Sequence, residues 1–306
     1  MTEHIAPRRA RRSQLAVPGS NEKMVAKAAA SMADHVFVDL EDAVAPSEKV
    51  AARSKIVKAL NTLDWSGKTR CVRINDLSTK YAYGDIIEIV EGARENIDTI
   101  MMTKVMTASD VHFVATLLTQ IEENIGLEKT IGIEVLIEEA VGLQNIEEIA
   151  AASPRVEALM LGVADLSASL HIDLDKADSP QSAYPGDLWH YARFRLLMAA
   201  RANGLDAIDG PFPNFRDEAT YTEHAKSARA LGFDGKWAIH PSQIAPALAV
   251  FTPSQAEVDK ARRVRDAFLE AQDSGLGAVV IDGQMADIAS LRMLQPILDQ
   301  ADLFGL

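Results

Sequence analysis

Cysteine is almost absent from this chain. Cys71 is the only one in 306 residues, so neither an intrachain disulfide nor a cysteine-built metal centre is available. In "RCVRIN" it reads as a small buried side chain rather than a nucleophile. No stretch approaches the roughly 18 uninterrupted apolar residues of a membrane span. Positive charge is outweighed, with 31 Lys+Arg against 44 Asp+Glu for a net charge of −13. Most of the surface therefore repels a polyanion, which argues against a general nucleic-acid binder. The exception is "PRRARRS" (7–13), with four arginines; no apolar run follows it and it passes into strand-like "QLAVP", so it reads as a solvated entry to the first strand. A G-x-G-x-x-G after that strand is missing, and there is no fixed-period repeat or low-complexity segment. These absences predict a soluble, cytoplasmic protein with no membrane and no nucleic-acid partner.

What is present is an ordinary globular composition, 48% hydrophobic and 25% charged, arranged with a regular alternation. Short β-rich runs occur at "SQLAVP" (13–18), "HVFVDLED" (35–42), "RCVRIN" (70–75), "TIMMTKV" (99–105), "TIGIEVLIE" (130–138), "EALMLGVADL" (157–166), "LDAIDGP" (205–211) and "GKWAIHP" (235–241). Between them lie amphipathic helical patterns such as "ASDVHFVATLLTQIEENIG" and "WHYARFRLLMAARANG". Eight β/α alternations predict an α/β protein, a TIM (β/α)8 barrel, with an open doubly wound sheet as the alternative. The barrel core is expected over 1–241. Residues 242–306, with "TPSQAEVDKARRVRDAFLEAQ" and "IASLRMLQPILDQADLF", are expected to form a C-terminal helical extension acting as a cap or oligomerisation element.

The run "IGIEVLIEEAVGLQN" (131–145) places Glu134, Glu138 and Glu139 in or beside an apolar strand, although an unpaired buried charge is costly. Strand alternation puts Ile133, Val135 and Ile137 on the helix side and sends Glu134, Leu136 and Glu138 inward. Glu138 then stands at the C-terminal end, where barrel enzymes keep their active sites. By the same logic Asp39 and Glu41, Arg73 and Asn75, and Asp165 end neighbouring strands at that mouth. Glu138 and Asp165 on consecutive strands suit a hard divalent cation, the rest of its shell being water and substrate. Plainer readings stand beside these: Glu134 in a buried ion network with an arginine, Asp39, Glu41 and Asp42 as caps, Arg73 as their counter-charge, and His240 as a strand-end packing or hydrogen-bonding residue.

Seven ordered motifs, "LAVPGSNEKM", "VFVDLEDAVAPSEK", "CVRIN", "LIEEAVGLQNIEEI", "LGVADLSAS", "AIDGPFPNFRD" and "GKWAIHPSQI", resemble the citrate lyase β-subunit/malyl-CoA lyase branch of the HpcH/HpaI aldolases from about residue 12 to 300. The resemblance implies a TIM barrel, a homotrimer or homohexamer, that cleaves malyl-CoA, β-methylmalyl-CoA or citramalyl-CoA to acetyl-CoA or propionyl-CoA and a 2-oxoacid. It also implies Mg²⁺, with Mn²⁺ possible, on Glu138 and Asp165. Arg73 in "VRIN" falls on the family's substrate arginine and Lys23 on a lysine that helps hold the CoA part. Asp287 in "GQMADIAS" falls on an acid/base aspartate delivered into a neighbouring subunit's site; from sequence alone it reads as a helix N-cap. Where many relatives carry "PKV" this chain has "TKV" (103–105), and Ala164 replaces an acid present in some members. The segment 171–190 is shorter than in some malyl-CoA lyases. Other outcomes compatible with the motifs are a malyl-CoA thioesterase, a citrate lyase β-subunit acting on a carrier-protein thioester, and a non-catalytic ligand-binding barrel.

Overall fold

The computed structural model describes residues 7–173, 186–281 and 283–306. Most of the short 171–190 segment therefore lies outside the described residues. Eight parallel strands close into a barrel in sequence order: β1 Ser13–Pro18, β2 His35–Asp39, β3 Thr69–Arg73, β4 Thr99–Met102, β5 Gly132–Ile137, β6 Val156–Leu161, β7 Asp206–Asp209 and β8 Gly235–Ala238. Each expected run coincides with one of them, β3 and β6 beginning one residue earlier, at Thr69 and Val156. Most strands stop short of the C-terminal end of the run, because the polar residues there leave the ladder to form the loops of the mouth.

The pleat sorts the side chains as the alternation predicts. Ile133, Val135 and Ile137 of β5 join Val36, Val38, Leu159 and Leu161 in the large apolar layer shared with the outer helices. Leu136 turns inward to meet Phe37, Cys71, Met101, Ala158, Met160, Ile208 and Trp237 in a separate cluster inside the barrel. The Phe37 and Trp237 rings lie 4.8 Å apart. This packed plug divides the barrel interior into two polar ends, a floor at the strand starts and a mouth at the strand ends.

The floor is closed by the N-terminal arginines, and here the structure corrects the solvated-arm reading. Arg11 is only 3% exposed. It donates to Glu134 at 3.1 Å, Glu157 at 2.6 Å and Asp206 at 2.6 Å. Arg9 pairs with Glu157, Arg12 with Asp34, and Arg8 with Asp299. An arginine surrounded by three inward or rim acids is drawn under the barrel because the acids cannot be left without a counter-charge. The arm thus lies at the opposite end from the mouth and is spent on structural pairs, so it is not a source of cations for a ligand there.

Beyond β8, the helix Ile244–Phe251 packs on β1 and β8. The helix Gln255–Asp273 follows, opened by a Ser254/Glu257 capping box, and pairs with the helix Ile288–Phe304. Between those two helices a short hairpin pairs Val279–Ile281 with Gln284–Ala286. Val280 and Met285 sit opposite one another on it and are 71% and 72% exposed. Arg12 stacks on Phe304 at 3.9 Å, which ties the far end of the extension to the barrel floor. Among the described residues no helix is long and apolar enough to cross a membrane.

Candidate active site at the barrel mouth

Asp39 ends β2 and is buried. It accepts from Arg73 Nε at 2.7 Å and Nη2 at 2.6 Å, and from the backbone N–H groups of Glu41 and Ala43. Burial alone would raise its carboxyl, but the guanidinium and these donors hold it below the usual range. The pairing is bidentate and fixes Arg73 rigidly. With Nε and Nη2 occupied, Arg73 Nη1 has no hydrogen-bond partner among the described residues. The guanidinium also lies 5.8 Å from the Phe37 and Trp237 rings, so the aromatic plug forms the surface on which it rests. Asn75 is held between Asp85 and Lys49, which keeps it in a supporting position.

Glu138 follows β5 and is 2% exposed. Its Oε1 accepts the backbone N–H of Lys104 at 2.9 Å. Burial raises its carboxyl pKa to about 8, relieved in part by Lys104 and pushed up again by Asp165. The carboxylate lies against Gly162, where an added Cβ would come 2.5 Å from Glu138 Cβ and 2.6 Å from its Oε2. Only a residue without a side chain leaves room for the acid there. Three residues on, Asp165 stands in the helix Val163–Ser169 rather than at a strand end as the alternation implied. The turn after β6 nevertheless carries it to the mouth, 3.9 Å from Lys104 Nζ.

Lys104 is the residue that sequence reasoning passed over. Its Nζ lies 2.6 Å from Glu41 Oε1, 3.8 Å from Asp42 and 3.9 Å from Asp165. Strand parity after Met101 would send it outward, but its φ of 51° turns the chain into the left-handed region and brings the ammonium to the acids. A non-glycine residue in that region is uncommon, and nothing in "TKV" announces it. Glu41, also buried, is raised first by desolvation and lowered by Lys104.

The structure thus brings Arg73, Glu138 and Asp165 together. Lys23 is elsewhere on the same end, exposed in the first turn of the helix Glu22–Ala29 after β1, with no ion-pair partner among the described residues. Asp287 is not at the mouth's hydrogen-bond network. It caps the helix Ile288–Phe304, accepting from Ser290 N at 3.0 Å, and that bond holds its carboxyl below the usual value. His240 hydrogen-bonds Ser242 and stacks on Phe215 at 4.5 Å.

Two groups have metal-ligand chemistry. At the mouth, the donor set is two carboxylates, one so buried that it resists ionising without a cation, cradled by a glycine. A hard divalent ion fits it. Lower in the barrel, His35, Cys71 and Glu134 place ligand-type atoms within 4.8 Å of one another. Glu134, however, already accepts from Arg11, His35 and Thr99, and burial pushes the Cys71 thiol well up. Glu134 is thus the satisfied centre of a buried ion network, the plainer of its two readings, although His35 Nδ1 has no hydrogen-bond partner among the described residues; with its carboxylate already committed and the thiol hard to ionise, the trio does not fit a metal.

The HpcH/HpaI aldolase/citrate lyase family matches residues 12–241 of the chain. An L-malyl-CoA/β-methylmalyl-CoA lyase from Rhodobacter capsulatus is 42% identical over 99% of this chain and 98% of its own. A (3S)-malyl-CoA thioesterase from Cereibacter sphaeroides is 37% identical over 95% of this chain and 94% of its own. Among solved structures, CitE from Mycobacterium tuberculosis in complex with magnesium, acetoacetate and coenzyme A superimposes with a TM-score of 0.74 at 33% identity, covering 95% of this chain and 97% of that one.

Proposed function

The chain belongs to the HpcH/HpaI aldolase/citrate lyase family, and from that premise we propose that it is a Mg²⁺-dependent acyl-CoA lyase. Its substrate is a 3-hydroxyacyl-CoA: (3S)-malyl-CoA, β-methylmalyl-CoA or citramalyl-CoA. The observation that carries the reading is full-length 42% identity to a malyl-CoA/β-methylmalyl-CoA lyase. The mouth supports it with a buried arginine that has a donor to spare beside two carboxylates suited to a hard cation.

In the cleavage direction the hydroxyl gives its proton to solvent water, the carbinol carbon becomes the 2-oxo carbonyl, and the bond between it and the thioester α-carbon breaks. The electron pair passes into the thioester enolate, which then takes a proton at carbon. Glu138 and Asp165 would hold Mg²⁺, or Mn²⁺, which supplies Lewis-acid charge to the substrate oxygens. Arg73, immobilised by Asp39, offers Nη1 to the oxygen on which negative charge develops, with no reorganisation needed at the moment of reaction. The Phe37–Trp237 plug excludes water from beneath it. Lys23 provides a cation for the CoA phosphates on an otherwise acidic protein.

Asp287 from a neighbouring copy is assigned the carbon-proton transfer: it removes the α-proton in condensation and returns one in cleavage. As an ionised helix cap it starts as a base, and desolvation on closure over the site is what would make it a competent acid. Val280 and Met285, paired across the hairpin, and Met293 on the last helix, 72% exposed, are apolar surface on the extension that a second copy would cover, in keeping with a homotrimer or homohexamer. Asp287→Ala is expected to leave substrate binding in place and lower turnover by on the order of 10²- to 10⁴-fold.

The deciding experiment supplies the purified protein and Mg²⁺ with each of the three thioesters and follows the 2-oxoacid and the acyl-CoA separately, with a chelator control. Chelator-sensitive release of glyoxylate or pyruvate with intact acetyl-CoA or propionyl-CoA is the expected result. The 37% identity to a malyl-CoA thioesterase favours one second reading, and free CoA in the products would replace the lyase by it.

A further inference from the structure

Lys104 has three features that a simple surface lysine lacks. Its backbone N–H fixes Glu138 at 2.9 Å. Its ammonium sits among Glu41, Asp42 and Asp165. Its left-handed φ of 51° is a conformation with an energetic cost, of the kind that persists where the surroundings over-determine it. The surroundings here are evident: the loop is pinned by Asn145 Nδ2 on the Met106 carbonyl. It is also packed so closely that a Cβ on Gly142 would come 2.2 Å from the Val105 carbonyl oxygen.

We propose that Lys104 is an internal counter-cation that sets the metal affinity of the mouth, its ammonium competing with the divalent ion for Asp165 while its N–H keeps Glu138 in place. The inference rests on the assignment of Glu138 and Asp165 as the metal pair. Without an ion, the acids Glu41, Glu138 and Asp165 face two cations, Lys104 and an Arg73 already committed to Asp39. Lys104 Nζ lies 3.9 Å from Asp165 Oδ1, so an ion held by that carboxylate would meet a protein cation beside it, which keeps the affinity moderate and the site exchangeable.

The test is direct titration of metal-free protein with Mg²⁺ by calorimetry, and with Mn²⁺ by electron paramagnetic resonance, with no substrate present. Lys104→Met removes the charge; Lys104→Gly removes the charge and relieves the backbone while retaining the N–H; Lys104→Arg retains the charge. The first two are expected to tighten ion binding by on the order of tenfold, about 1.4 kcal/mol, and Lys104→Arg to leave it near that of the unmodified protein. They should also show a larger rise in melting temperature per added ion. A merely structural role predicts the reverse, because a damaged site binds more weakly. Unchanged or weaker binding in both neutral variants would overturn the proposal. Asp165→Asn serves as the reference: if it binds the ion as the unmodified protein does, the metal pair itself is wrong and the inference falls with it.

Discussion

Glu134 and Glu138 lie four residues apart in the same barrel interior, 0% and 2% exposed, yet their carboxyls move in opposite directions. At the floor, burial pushes Glu134 up but His35 and Arg11 outweigh it and bring the carboxyl down to about 2. At the mouth, burial of Glu138 is only partly answered by Lys104, Asp165 adds a like charge, and the carboxyl rises to about 8. Desolvation is common to both ends; what differs is that Arg11 and His35 bond Glu134 directly through their side chains, whereas Glu138 receives only the Lys104 backbone N–H. The floor is electrostatically finished and holds the fold, whereas the mouth is left short of positive charge and can accept it from a ligand. A buried carboxylate is therefore a sign of function here only where its own chain fails to neutralise it.

Substitutions at the two positions should separate fold from chemistry. Glu138→Gln keeps the shape and removes a metal ligand. Losing several kcal/mol of charge stabilisation corresponds to a fall in turnover on the order of a thousandfold, with a denaturation midpoint that does not fall. Asp165→Ala should behave alike and abolish metal-dependent ligand binding. Glu134→Gln should do the opposite: it takes the charged partner from His35 and one of three acids from Arg11, and is expected to lower stability by about 3 kcal/mol in urea unfolding. The refolded fraction should keep its activity per folded molecule. Equal stability losses at both positions would erase the distinction between floor and mouth.

Proton linkage sharpens the same contrast. Because Glu138 is raised from 4.5 to about 8, the folded protein holds a proton that the unfolded chain releases, so this group's stabilisation is lost as pH rises through about 8. Saturating Mg²⁺ should cancel that slope, since the ion takes the ionised carboxylate. Glu134, depressed from 4.5 to about 2, contributes stability that is present above 4.5 and lost only as pH falls towards 2. Melting temperature against pH, with and without Mg²⁺, reads both. Glu138→Gln should abolish the metal-sensitive slope between 4.5 and about 8 and leave the acid limb intact.

Much of this was legible in the chain. The eight strands and the inward parity of Glu134, Leu136 and Glu138 follow from period-2 alternation, which tertiary context did not override. The arginine run was misread because charge pattern alone does not distinguish a solvated arm from a plug; the difference lies in Glu134, Glu157 and Asp206, acids distant in sequence that Arg11 meets only once the barrel closes. Asp165 reaches the mouth by a turn into a helix, so parity named the residue without its element. Lys104 was hidden by a single left-handed φ. Asp287 could not be placed from one chain by periodicity at all, since in that chain it does no more than cap its helix.

The most direct measurement of the central claim is a calorimetric titration of Mg²⁺ into metal-free protein and its Glu138→Gln variant at neutral and at mildly alkaline pH. The account predicts one ion per chain that displaces a proton and binds more tightly as pH approaches about 8, with no binding in the variant. Binding that is indifferent to pH and persists in Glu138→Gln would contradict it and remove the metal from the mouth.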